Sequence, residues 1–269
     1  MLPHLGARGE SAARARDDEN VKALLTALRC PKGELEANAR RHIALLEEGA
    51  TRGARIVAFP EMSLTGSVDP IHWPGRAVSR THAAIGEIAS ATERLGVAAL
   101  FGIAEASGDG VHITQVLADG GRVVGHYRKR TLGEDEESYR AGSEPAGFVL
   151  DQEPIGIAVC AEGAVDAPFD DAAASGATVV FFCSAPGLYG RRTNEKEWRA
   201  GFDWWSGSAL GDAARHARRL GVWVALSTQA GSAADEDFPG LAALVDPNGD
   251  VVSALPDWHE GTLLVETGF

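Results

Sequence analysis

Along the chain, short apolar runs bounded by glycine, proline or charge alternate with longer stretches in which apolar residues recur every three to four positions. "VKALLTALRC" (21–30), "RIVAFP" (55–60), "IGIAVC" (155–160) and "TVVFFCS" (178–184) are runs of the first kind. In "IGIAVC" the branched residues Ile155, Ile157 and Val159 alternate with Gly156 and Ala158, which fits a strand buried on both faces. "GELEANARRHIALLEEGATRG" (33–53) instead places Ala39, Ile43, Leu46 and Ala50 on one helical stripe. "SALGDAARHARRLG" (208–221) does the same with Leu210, Ala213, Ala214 and Ala217, and a shorter helix is expected near 166–175. The pattern predicts strands and helices in alternation.

Three pairs of strings repeat at a nearly constant separation. "GARIVAFPE" (53–61) matches "GATVVFFCS" (176–184), and "RLGVAALFGIAE" (94–105) matches "RLGVWVALSTQA" (219–230). "LADGGRVVG" (117–125) pairs with "VDPNGDVVS" (245–253), each a strand, a glycine-containing turn and a second strand. The chain therefore reads as two similar halves, each running strand, helix, strand, helix, hairpin. Helices cover one face of each sheet, so the two free sheet faces pack together. The expected fold is α/β, a four-layer αββα sandwich. It occupies residues 21–269 as one domain, preceded by an extension over residues 1–20 that has no apolar core of a secretory signal.

Composition narrows the function classes. With 269 residues, 45% of them hydrophobic, the chain can bury one large core. A net charge of −13 argues against nucleic acid, whose phosphates need clustered Lys and Arg. No apolar run approaches the ~20 residues of a membrane span. The cysteines, Cys30, Cys160 and Cys183, are odd in number and widely spaced, and the eight histidines form no HxH or HxxxH pair. Neither a disulfide framework nor a metal site is expected, no cofactor is implied, and a reducing cytoplasm is the expected compartment.

Reactive residue types stand at the ends of three apolar runs: Glu61 after "RIVAFP", Lys129 after "RVVGHYR", and Cys160 at the end of "IGIAVC". Strand ends are where α/β folds commonly build sites. Together, "VAFPEMSLTG", "HYRKRTL" and "GIAVCAEG" resemble the nitrilase, or carbon–nitrogen hydrolase, superfamily in residue type, order and spacing.

The resemblance implies the αββα fold reached from the repeats, a homodimer or larger assembly, and a Glu–Lys–Cys mechanism. Cys160 would be the nucleophile, Glu61 the general base, and Lys129 with the backbone N–H of Ala161 the oxyanion donors. The family carries a second glutamate between Lys and Cys, for which the spacing in "EDEESYRAG" selects Glu137. Glu162 and Trp204 are further candidates for the substrate pocket, whereas Cys30, Cys183 and His126 read as packing or structural residues. The chain departs from common family patterns in three places: Ala161 stands where nitrilases carry Trp, no arginine closely follows Cys160, and Thr131 stands where His is frequent. The leading expectation is a hydrolase of small linear amides, with water as co-substrate. A nitrilase or N-carbamoyl hydrolase is the enzyme alternative, and a catalytically silent binding or assembly protein the non-enzyme one.

Overall fold

The computed structural model of the chain describes residues 21–267; the extension expected over residues 1–20 lies outside them. The first half contains β1 (Val21–Leu28), α1 (Leu35–Thr51), β2 (Ile56–Ala58), α2 (Ala83–Leu95), β3 (Ala98–Ser107), β4 (Gly110–Asp119) and β5 (Arg122–Arg128). The second contains β6 (Gly147–Leu150), β7 (Glu153–Val159), α3 (Ala167–Ala174), β8 (Val179–Ser184), α4 (Glu195–Leu220) and β9 (Trp223–Ala233). β10 (Glu236–Pro239), β11 (Ala242–Val245), β12 (Val251–Ala254) and β13 (Gly261–Thr267) complete it.

The halves share one topology. β1, β2 and β3 run parallel, then β4 and β5 continue the sheet antiparallel. In the same way β7, β8 and β9 run parallel, followed by antiparallel β11 and β12. Two strands outside the repeated strings complete the likeness, since β13 pairs antiparallel with β1 as β6 does with β7. The repeated "RLGV" string is explained by helix ends. α2 and α4 both stop at a glycine in the left-handed region, Gly96 (φ 66°) and Gly221 (φ 69°), where a β-carbon would be strained.

Alternation along the strands builds the layers. Leu24, Val57, Phe101 and Val116 pack with Leu46 of α1 and Ile85 and Ile88 of α2. Leu25, Ala58, Leu100 and Leu117 point the other way, into a core shared with Ile157, Phe181, Leu226 and Leu244. Phe169 and Ala172 of α3 and Ala213 and Ala217 of α4 cover the far side. The order is helices, sheet, sheet, helices. Each fully buried Leu, Ile or Phe contributes ~1.5–3 kcal/mol to the packing of these layers.

Two details differ from the sequence reading. The sheets are not separate: β1 and β9 pair through Ala27–Thr228 and Leu28–Gln229, which runs β5-β4-β3-β2-β1-β9-β8-β7-β6 as one path and links the 13 strands into one sheet. The helix expected over 208–221 also starts earlier, at Glu195. The Asn194 side chain accepts the Glu197 N–H at 3.1 Å, and Glu195 and Glu197 place negative charge in the first turn, where the helix dipole favours it. "EWRAGFDWW" (197–205) therefore belongs to the same helix. Among the described residues, no helix is long and apolar enough to cross a membrane.

Candidate active site

The ends of β2, β5, β7 and β8 meet beneath one cavity of about 650 Å³, and three of these ends carry the residues singled out by the sequence. Glu61 lies in the turn after β2 and is 1% exposed. Its backbone carbonyl accepts from Gln229 Nε2 at 2.8 Å, which fixes the turn against β9 of the other half. The turn also lies directly on β3. A β-carbon at Gly102 would come within 2.1 Å of the Met62 nitrogen, so only glycine permits this approach.

Lys129, the residue after β5, is fully buried. Its Nζ donates to Glu61 Oε1 at 2.9 Å and to Glu136 Oε1 at 2.5 Å. Glu136, rather than the expected Glu137, is therefore the second glutamate at the lysine, and Glu137 is exposed. The reason is the tight turn around it. Glu136 Oε2 accepts the Gly133 N–H at 2.6 Å and the Glu136 carbonyl accepts the Tyr139 N–H at 3.0 Å, which aims Glu136 inward and its neighbour outward.

Cys160 is partly exposed on the cavity wall and opens a 3₁₀ turn over Cys160–Ala164. Its φ of 45° is left-handed, a conformation that costs a non-glycine residue ~1–3 kcal/mol and lifts the thiol out of the strand line. Glu162 holds this bend. Its Oε2 accepts the Val159 N–H at 2.9 Å, while Oε1 accepts Tyr127 Oη at 2.8 Å and the N–H groups of Arg130 (2.7 Å) and Thr131 (3.2 Å). Glu162 is wholly buried and engaged by these donors, which corrects its expected place in the substrate pocket. It ties the cysteine bend to the segment carrying Lys129. Ala161 and Trp204 do line the cavity, beside Met62, Tyr139 and Trp205. The Trp205 indole N–H is anchored on Thr228 Oγ1 at 3.2 Å, and Trp198 packs against the core.

The electrostatics are those of a closed unit. Burial raises Glu61 to about 7; the Lys129 charge opposes that rise and Glu136 adds to it. Burial alone would lower the Lys129 ammonium, but Glu61, Cys160 and Glu136 outweigh it and keep the group above the ordinary lysine value. Burial, then the Glu61 charge, pushes the Cys160 thiol well above its usual range, with Lys129 opposing. The resting thiol is thus protonated beside a carboxylate poised to take its proton, and an ammonium is held where negative charge would develop. The Ala185 amide, just past β8, donates to Glu61 Oε2 at 2.8 Å and also faces the Cys160 sulfur. Sequence reasoning passed over Ala185, although the repeat places its neighbour Ser184 opposite Glu61.

The other cysteines sit elsewhere. Cys30 and Cys183 are buried in the hydrophobic cores, and burial raises the Cys183 thiol to about 12. His126 lies in a charged cluster with Arg80 (2.8 Å) and Glu144 (3.7 Å). Among the described residues, no cluster of three His, Cys, Asp or Glu side chains could hold a metal ion.

Known proteins give the same frame. Residues 24–267 match the carbon–nitrogen hydrolase family. Over 148 residues the chain is 25% identical to a glutamine-dependent NAD(+) synthetase of Thermotoga maritima; the match spans 53% of this chain and only 26% of that protein's length. Among solved structures, an amidase of the nitrilase superfamily from Nesterenkonia AN1 superposes with a TM-score of 0.78 at 20% identity, covering 94% of this chain and 92% of the other. A further crystal structure of an amidase from Nesterenkonia sp. gives a TM-score of 0.77 at 21% identity, covering 96% and 94%.

Proposed function

The chain belongs to the carbon–nitrogen hydrolase family, and on that premise we propose that it hydrolyses small linear amides through a thioester on Cys160. The observation that carries this reading is the buried Lys129–Glu61 pair, at 2.9 Å, behind the cavity that Cys160 lines.

Glu61 takes the thiol proton as Cys160 Sγ attacks the amide carbonyl, forming a tetrahedral oxyanion. The Lys129 ammonium and the Ala161 N–H stabilise that oxygen, each such donor contributing ~3 kcal/mol to the barrier. Collapse breaks the carbon–nitrogen bond, and Glu61 returns the proton to the departing ammonia or amine. Water then enters, loses a proton to Glu61 and attacks the thioester. The second collapse releases the carboxylic acid and restores the thiol, reprotonated from Glu61. Glu136 keeps Lys129 charged and aimed throughout.

Relatives support the substrate class. One Nesterenkonia amidase structure holds the acetamide moiety of fluoroacetamide on its active-site cysteine, and another is a Cys→Ala variant in complex with butyramide. The small Ala161 beside the nucleophile favours amides over nitriles, because the bulky aromatic of nitrilases is missing there. Ammonia release from matched amide and nitrile pairs, run beside Cys160→Ala, tests the reading. Faster release from the nitriles would replace it with the nitrilase alternative, and no release from any of them would favour a silent binding protein.

The same reading makes the protein a homodimer or larger assembly working in a reducing compartment, the cytoplasm. Three unpaired cysteines support the second point. The family supports the first, which light scattering would overturn by showing only a 28.2 kDa species at micromolar protein.

A further inference from the structure

The charges of the cavity are one-sided. Seven of its lining side chains are carboxylates, and Lys32 is the single lysine or arginine among them. That lysine is already committed: its Nζ lies 2.9 Å from Asp235 Oδ1 and 3.0 Å from Glu236 Oε2, and its side chain is 6% exposed. Lys129 behind the wall is likewise held between two carboxylates, Glu61 and Glu136. Each cation of the site is thus outnumbered by its own carboxylate partners. A cleft lined by one sign of charge raises the local concentration of ligands of the opposite sign.

A second feature points to the same ligand. Two aromatic side chains that line the cavity are largely uncovered: Tyr189 is 77% exposed and Trp204 53% exposed. Aromatic rings attract cations through the negative charge of their faces. Tyr189 also feels Asp135 most strongly, then Cys160 and Glu236, so ring, carboxylates and nucleophile share one space. Glu236 Oε1 lies over the backbone of Gly187, where a β-carbon would come within 1.6 Å of it, and both residues line the cavity.

Resting on the amidase reading, we infer that the cavity selects primary amides whose acyl chain ends in an ammonium group. Glu236 and Asp135 are the counter-charges and Tyr189 the aromatic face, and amides bearing a carboxylate are excluded. Binding such a substrate leaves the chemistry at Cys160 unchanged and adds attraction that an uncharged chain lacks.

Three amides with five-carbon chains separate these terms: δ-aminovaleramide (cationic), valeramide (neutral) and the monoamide of glutaric acid (anionic). The expected order of kcat/KM is cationic above neutral above anionic, with steps of about tenfold at low salt that shrink as salt screens the field. Asp135→Asn and Glu236→Gln should each reduce the cationic-to-neutral ratio by about threefold or more. Calorimetry on Cys160→Ala, which cannot form a thioester, should give the same order in Kd. An anionic amide that binds or reacts as well as the neutral one overturns the inference, as does a ratio unchanged in both carboxylate variants. Charge-ranked binding without ammonia release from the wild type would instead count against the amidase reading and leave this inference standing.

Discussion

Lys129 Nζ donates to Glu61 Oε1 at 2.9 Å, and neither side chain is more than 1% exposed. The pair joins β5 to the turn after β2, and Gln229 of β9 and the Ala185 N–H past β8 hold that turn from the other half, so the geometry is in place before substrate arrives. Burial raises Glu61 to about 7 while the ammonium restrains that rise. A carboxyl near 7 can both accept and return a proton at neutral pH.

The pH profile follows with a definite sign. Glu61 acts as base only when ionised, so kcat/KM should rise with pH through an apparent value of about 7 and fall about tenfold per pH unit below it. The alkaline side should stay level through neutral pH, because the Cys160 thiol is held well above its usual range. Removing the restraint in Lys129→Met should shift the acid limb of the residual activity upward. A flat profile between about pH 5 and 8 would argue against Glu61 as the base.

Glu136 and Glu137 offer a clean comparison of neighbours. Glu136→Gln removes a charge at 2.5 Å from Lys129 and should lower kcat by about 10²–10³-fold, the scale of a lost oxyanion contact. Glu137→Gln alters an exposed side chain and should stay within about twofold, as surface changes usually do. Steady-state kinetics on the two proteins decide the assignment, and the reverse order would return it to Glu137.

Much of this site was legible in the sequence because it rests on strand ends. An apolar run marks its own terminus, so the runs put Glu61, Lys129 and Cys160 at strand ends, and it took the family resemblance to single them out as a site. The repeated strings likewise carried the layer order and the glycine stops of α2 and α4. What the sequence left open depends on directions that spacing does not encode. Glu136 and Glu137 differ by one residue in an acidic loop, and only the hydrogen bonds to Gly133 and Tyr139 turn one of them inward. Glu162 looked like a pocket residue because it neighbours Cys160, yet the 3₁₀ turn folds it back under the bend. The β1–β9 junction rests on two residue pairs, too little to leave a pattern in either strand.

Glu162 should matter for the fold as well as for turnover. Glu162→Ala leaves four donors without their acceptor, buried ones from Val159 and Tyr127 and part-buried ones from Arg130 and Thr131. Breaking a buried network of this kind costs about 3–5 kcal/mol. In a chain of this size that is a fall in Tm of roughly ten degrees. Glu162→Gln keeps one acceptor oxygen and should recover part of the loss. A calorimetric Tm for Glu162→Ala within a degree of wild type would contradict the anchoring role.

The thioester on Cys160 is the central claim, and mass spectrometry of acid-quenched enzyme tests it most directly. With a small amide in excess, the peptide containing Cys160 should gain the mass of the acyl group. The peptides containing Cys30 and Cys183 should not, because both thiols lie in the hydrophobic cores. Cys160→Ala should show neither the adduct nor ammonia release. An acyl group on another cysteine, or full turnover by Cys160→Ala, would contradict the account.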